Sequence, residues 1–228
     1  MTDAAEVPED RARYGLTVVL AMMLVLWLIA GPESSLRAYL VVVDLLGGAL
    51  LLASTWSARV GPLRRRASWA GLLACAVAAS GTIWGSDDLA KLTTAIVILL
   101  VSVYVPYIVA VGLARRRQID AQLVAGAITI YLVIGIAASM AFAITGSIQH
   151  DPLFLLNGVP GDGTFRSKVY VSFVTMATVG YGDITPLSGS ARAVAIFTAL
   201  IGQLYLILAV ATAVSMLAST RIPGSREA

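Results

Sequence analysis

Thr178-Val179-Gly180-Tyr181-Gly182-Asp183 decides how the rest of the chain is read. These six residues follow a short, mostly apolar stretch at 169–177 and precede a long apolar segment at 188–218. A run of backbone carbonyls can replace the water shell of a cation only if the oxygens point the same way. That needs a backbone alternating between left- and right-handed conformations, and glycine reaches positive φ without steric cost. Gly180 and Gly182 stand at the alternate positions such a ribbon requires. Thr178 can add its hydroxyl at the inner end, while Val179 and Tyr181 can turn outward and brace the ribbon from behind.

Working outward, residues 146–164 contain Pro152, Asn157-Gly158, Pro160-Gly161 and Asp162-Gly163. These turn signals read as an exposed outer loop. Residues 167–177 read as a helix too short to span, dipping part-way into a membrane. Its C-terminal end would point its negative dipole toward an ion path. Irregular backbone at membrane depth is tolerated only when buried in protein or lining a water-filled cavity. A ribbon packed behind its own re-entrant helix meets that condition.

Of 228 residues, 58% are hydrophobic and 13% charged, with a mean hydropathy of +0.86. A soluble domain carries about a quarter charged residues, so the class is an integral membrane protein. A helix needs about 20 apolar residues to cross, and segments at 15–31, 36–58, 67–84, 89–114, 119–145 and 188–218 qualify. The expected fold is all-α: six transmembrane helices, with a re-entrant helix and loop between the fifth and sixth. Tyr14 and Trp27 are interfacial anchors for the short first span, and Asp44 lies inside the second. The third is rich in alanine and glycine, which favours close helix approach. Pro106 predicts a kink in the fourth. The lone Cys75 rules out an intrachain disulfide framework, and no metal-ligand cluster is evident.

Arg11 and Arg13, then Arg59, Arg64, Arg65 and Arg66, then Arg115, Arg116 and Arg117, then Arg221 and Arg226 all fall on one side of six spans. Basic loops stay inside, so both termini are expected to face the cytoplasm of a multi-pass protein in the cell (inner) membrane. The opposite connections hold Glu33 with Arg37, Asp87 and Asp88 with Lys91, and the long loop. The acidic start (Asp3, Glu6, Glu9, Asp10) lacks the basic region of a signal peptide, and the first span is expected to be retained.

Thr178-Val179-Gly180-Tyr181-Gly182 reproduces the signature of potassium-channel selectivity filters, and the chain resembles a bacterial member of that family from the fifth segment to the end of the sixth. The resemblance implies K⁺ held by carbonyl rings at Thr178, Val179, Gly180 and Tyr181, with Gly182 completing the filter. Each chain supplies one strand of a closed ring, which implies a homotetramer. Residues 170–177 match the family's pore helix. Asp183 matches an aspartate at the outer mouth; its plainer reading is a cap or turn residue. Val174 stands where some relatives carry a glutamate that pairs with that aspartate, so Asp183 must find another donor, Tyr170 or a water. Gly202 falls where many relatives have a hinge, and an interior glycine weakens a helix by about 1 kcal/mol relative to alanine. Its other reading is close helix packing. Gln203 either lines the cavity below the filter or joins helices.

Four units follow: an N-terminal cytoplasmic segment at 1–14, a four-helix bundle at 15–114, a pore domain at 115–220 and a tail at 221–228. The bundle resembles a voltage-sensing domain, yet no lysine or arginine occurs between 92 and 113. Steep voltage gating is therefore not expected, since each charge moved through the field is worth about 2.3 kcal/mol per 100 mV. Asp44 is assigned either to a pair with Arg37 or to the neutral form. His150 is a solvated loop residue or an external pH sensor. The tail is expected to leave no room for a ligand-sensing domain.

The function expected is passive, K⁺-selective conduction. K⁺ is the permeant ligand with no other cofactor, and membrane lipids and three further copies are the partners, with no nucleic acid. A weakly selective monovalent cation channel is the alternative, and a secondary transporter a more distant one. Against a transporter stands the lack of an evident inverted repeat. Against an enzyme stands the lack of any cluster of nucleophile, base and metal ligands.

Overall fold

In a bilayer every backbone polar group must be satisfied internally, and the apolar runs accordingly form helices. The computed structural model describes residues 13–30, 36–57, 87–114, 121–149 and 151–219, with positions 69, 73, 75, 76 and 80. The helices are α1 (Arg13–Ala30), α2 (Leu36–Ser57), α3 (Asp87–Leu113), α4 (Ala121–Ile148), α5 (Phe165–Met176) and α6 (Gly189–Ser219). Stretches of α2, α3, α4 and α6 are long and apolar enough to cross a membrane, and the apolar part of α1, Gly15–Ala30, is shorter. The third expected span lies outside the described residues except at those five positions, where Cys75 is a buried free thiol. Arg11, Glu33, Arg59, Arg64, Arg65, Arg66, Arg115, Arg116, Arg117, His150, Arg221 and Arg226 also lie outside them. α3 runs through Pro106 without interruption.

α1 packs on α2 and α4, and α3 packs on α2 and α4. Leu24, Leu28, Val43, Val101 and Ile136 lie in the shared core. Thr17 of α1 and Thr129 of α4 share a hydrogen bond of 3.1 Å inside it. The partner the structure gives Asp44 is Thr94 rather than Arg37: Thr94 Oγ1 donates to Asp44 Oδ2 at 3.2 Å. Arg37 sits two turns away in an exposed position, whereas Asp44 is fully buried. Asp44 Oδ1 has no hydrogen-bond partner among the described residues. An unmatched buried charged group costs more than a neutral one. Asp44→Asn keeps an acceptor for Thr94 and removes the charge, so it is expected to raise stability by about 1 kcal/mol. Thermal unfolding in detergent checks this, and a lower unfolding temperature would contradict it.

The bundle also leans on the short helix of its own chain. α1 packs directly on α5, and the Arg166 guanidinium lies 5.2 Å over the Tyr39 ring. Tyr39 Oη donates to the Leu28 carbonyl at 3.1 Å, and Trp27 Nε1 donates to the Tyr39 carbonyl at 3.3 Å. Trp27, expected as an interfacial anchor, thus ties the C-terminal end of α1 to the N-terminal end of α2.

The outer loop departs from expectation. It contains two short strands, β1 (Phe154–Leu156) and β2 (Val159–Gly161), which join β3 (Ile184–Pro186) from beyond the six-residue stretch in a sheet of antiparallel order β2-β1-β3. Asn157 and Gly158 both have positive φ (48° and 84°), the two-residue turn that matches strand twist. Leu153 and Phe154 are fully buried with Phe142 of α4 and Ala191 of α6, so this end of the loop forms a second small core instead of a solvated turret. The Phe142 and Phe154 rings sit 5.3 Å apart in a tilted pair.

Candidate ion-conducting site

Thr164 starts α5 with a reciprocal cap. Its hydroxyl accepts from Ser167 N at 3.3 Å, while Ser167 Oγ accepts from Thr164 N at 3.3 Å. Buried within the same turn, Lys168 Nζ donates to the carbonyls of Asp162 (3.0 Å) and Gly163 (3.2 Å). Burial pushes the Lys168 ammonium below its usual range, and the Asp162 charge opposes that shift.

At the other end of α5, Thr178 N bonds the Thr175 carbonyl at 3.0 Å and Val179 N bonds the Val174 carbonyl at 2.9 Å. This pair of bonds is a Schellman termination, which needs a left-handed residue after the cap. Thr178 takes that conformation, with φ 56°. A β-branched residue there is strained. Positive φ recurs at Gly180 (57°) and Gly182 (82°) and at neither Val179 nor Tyr181. The handedness of the backbone therefore alternates through all five residues. The sequence marks only the two glycines; nothing in a threonine announces the third left-handed position.

Thr178 to Gly182 form an exposed ribbon on one side of the chain, with Asp183 partly covered. A Cβ added at Gly180 or Gly182 would meet no atom within 4 Å. The Tyr181 ring stacks on the Tyr170 ring with centroids 6.4 Å apart and planes 9° apart. Tyr170 Oη donates to Asp183 Oδ2 at 2.8 Å. Tyr170, one of the two donors left open for Asp183, is thus bonded to it. This bond, followed by desolvation and then the nearby Asp183 charge, pushes the Tyr170 phenol above its ordinary value. Asp183 is gripped from its backbone as well, since its carbonyl accepts from Asn157 N at 2.8 Å. β3 follows at once and pairs with β1, Leu156 opposite Ile184. The Thr178 end of the ribbon hangs from α5, and the Asp183 end is tied to the β-sheet.

α6 packs on α5 as one continuous helix, through Gly202 and Gln203. Gly202 is buried, and a Cβ there would come within 2.4 Å of Met176 Cγ and 2.9 Å of the Met176 carbonyl oxygen. Close approach to α5 is thus what this glycine permits in the structure. Gln203 is partly covered. Nearer the inner end, Tyr205 Oη donates to the Ala127 carbonyl of α4 at 2.6 Å. Elsewhere α6 is bare: only 11% of its apolar stretch is buried, against 61% for α2. Among the described residues no group of three or more histidine, cysteine, aspartate or glutamate side chains could hold a metal ion.

Residues 126–219 match a family model described as an ion channel. The matched stretch contains most of α4, the β-sheet, α5, the ribbon and α6. No curated protein and no solved structure matches the chain. The family match and the apolar helices together support an ion channel embedded in a membrane.

Proposed function

We propose that four copies of this chain form a K⁺-selective channel in which their ribbons, Thr178 to Gly182, meet on one axis and strip the ion of water. The observation that carries this reading is the alternating handedness at Thr178, Gly180 and Gly182 in a ribbon left uncovered by its own chain. Bare irregular backbone is not stable at membrane depth unless other protein or a water-filled path covers it. Further copies around a closed ring supply both covers at once, and they also account for the bare faces of α6. The Asp183 carboxylates would then ring the outer mouth, and Gln203 would face the cavity beneath. In the orientation given by the arginines, both termini lie in the cytoplasm and the β-sheet faces outward.

Purified protein in K⁺-loaded liposomes is expected to release K⁺ passively, with block by barium. Uptake against a gradient would revive the transporter reading. A second reading keeps the channel but relaxes its preference to monovalent cations in general. The aliphatic Val174 favours it, because that side chain cannot brace Asp183 from behind. Reversal potentials under K⁺ and Na⁺ gradients separate the two. The fourth span lacks basic residues between 92 and 113, so open probability is expected to vary weakly with voltage. A steep rise over a few tens of millivolts contradicts that.

A further inference from the structure

The helix that carries the ribbon is seated in two notches that lack a Cβ, one on each neighbouring span. On α4, a Cβ at Gly135 would lie 2.4, 2.6 and 2.9 Å from three ring atoms of Phe173. On α6, a Cβ at Gly202 would lie 2.4 Å from Met176 Cγ, 2.9 Å from the Met176 carbonyl oxygen and 3.3 Å from Met176 Cα. Both glycines are buried, and Met176 is 0% exposed. We infer that Gly135 and Gly202 are positioning residues that set the height of the α5 C-terminus, and through it the spacing of the carbonyl ribbon. This inference rests on the K⁺-channel reading above.

The transmission is short and stiff. Met176 is two residues before Thr178, and Thr178 N and Val179 N are bonded back to the carbonyls of Thr175 and Val174. The last turn of α5 and the first two ribbon residues therefore move together. A functional constellation must be held to within about 0.5 Å of its working geometry. An added methyl at 202 asks for a shift of that order, because behind the Met176 Cγ it also meets the Met176 carbonyl oxygen, a backbone atom that cannot swing aside. The two notches differ in one respect that can be tested. The three atoms nearest to a Cβ at Gly135 all belong to the Phe173 side chain, which a smaller residue relieves. Gly202 faces a carbonyl as well, which no side-chain change removes.

The test uses the full chain in planar bilayers, reading reversal potentials under K⁺ and Na⁺ gradients together with thermal stability in detergent. Gly202→Ala and Gly135→Ala are each expected to lower K⁺ over Na⁺ discrimination by about tenfold or more. Phe173→Leu should restore it in the Gly135→Ala background. Met176→Ala should fail to restore it fully in the Gly202→Ala background. Gly126→Ala is the control for a purely structural role. Its Cβ would come 2.5 Å from Leu113 Cδ1, a similar clash far from the ribbon, so it should lower stability and leave discrimination intact. The inference is overturned if Gly202→Ala alters opening alone with discrimination unchanged, as a hinge would, or if Gly126→Ala shifts discrimination equally. An unselective parent protein would overturn the K⁺-channel reading instead. Should Gly202→Ala fail to fold, the Gly135→Ala and Phe173→Leu pair still decides the outcome.

Discussion

Gly180→Ala is expected to reduce K⁺ flux by at least about 100-fold, since each 1.4 kcal/mol in a barrier is tenfold in rate. Lack of room is not the reason. No atom lies within 4 Å of a Cβ built at Gly180, yet its φ is +57°. An L-residue in that conformation costs about 1–2 kcal/mol. In the proposed tetramer the cost recurs in every copy, about 4–8 kcal/mol in all if the four add. It falls on a ribbon already strained at Thr178, also at positive φ. Relaxing that strain turns one peptide, and its carbonyl leaves the ring. Gly189→Ala is the matching control, because its Cβ also meets nothing and its φ is not in the left-handed range. It should conduct like the parent. A Gly180→Ala protein that still conducts K⁺ selectively would remove this residue from the ion path.

Tyr170→Phe is expected to have the next largest effect. It deletes one hydroxyl and keeps the ring that stacks on Tyr181, so any change reports the 2.8 Å bond to Asp183. With Val174 unable to help, that bond is the side-chain brace holding Asp183 from the α5 side. Without it the outer mouth should loosen, and sustained K⁺ flux should decay several-fold faster than in the parent. Asp183→Asn, which can still accept from Tyr170, should decay more slowly than Tyr170→Phe. The bond also sets an alkaline limit. It raises the Tyr170 phenol above the usual 10.0, so its stabilisation is fully present below pH 10 and is lost as pH rises through the raised value. Parent and Tyr170→Phe proteins should therefore converge only above pH 10. Equal decay of the two at neutral pH would show that the bond carries no load.

What could be read from the residues follows from how local each signal is. Spans are local, because long apolar runs leave the backbone no choice but a helix; α2, α4 and α6 begin and end close to where hydropathy put them. The ribbon is local too, since five consecutive residues with their flanks carry it, which a lone pair of alternate glycines would not. Non-local features were harder to read. β1 and β3 are three residues each and are separated by α5 and the ribbon. Two of the three strands contain proline, which carries no strand signal, so the stretch read as an exposed loop. Asp44 has an arginine on its own helix, which made that pairing the natural expectation, while its actual partner Thr94 lies fifty residues away. Tyr170 and water were equally good donors for Asp183 until the turn of α5 fixed which one faces it. Gly202 is the same residue whether it bends a helix or admits a neighbour, and only the position of Met176 shows the second use.

The central claim is that peptide oxygens of Thr178 to Gly182, gathered from several copies, conduct K⁺ in preference to Na⁺. Its most direct test is the reversal potential of purified parent protein in a planar bilayer with K⁺ on one side and Na⁺ on the other. The predicted result is a current that reverses near the K⁺ equilibrium potential. A reversal near zero, or no current from properly inserted protein, would contradict it.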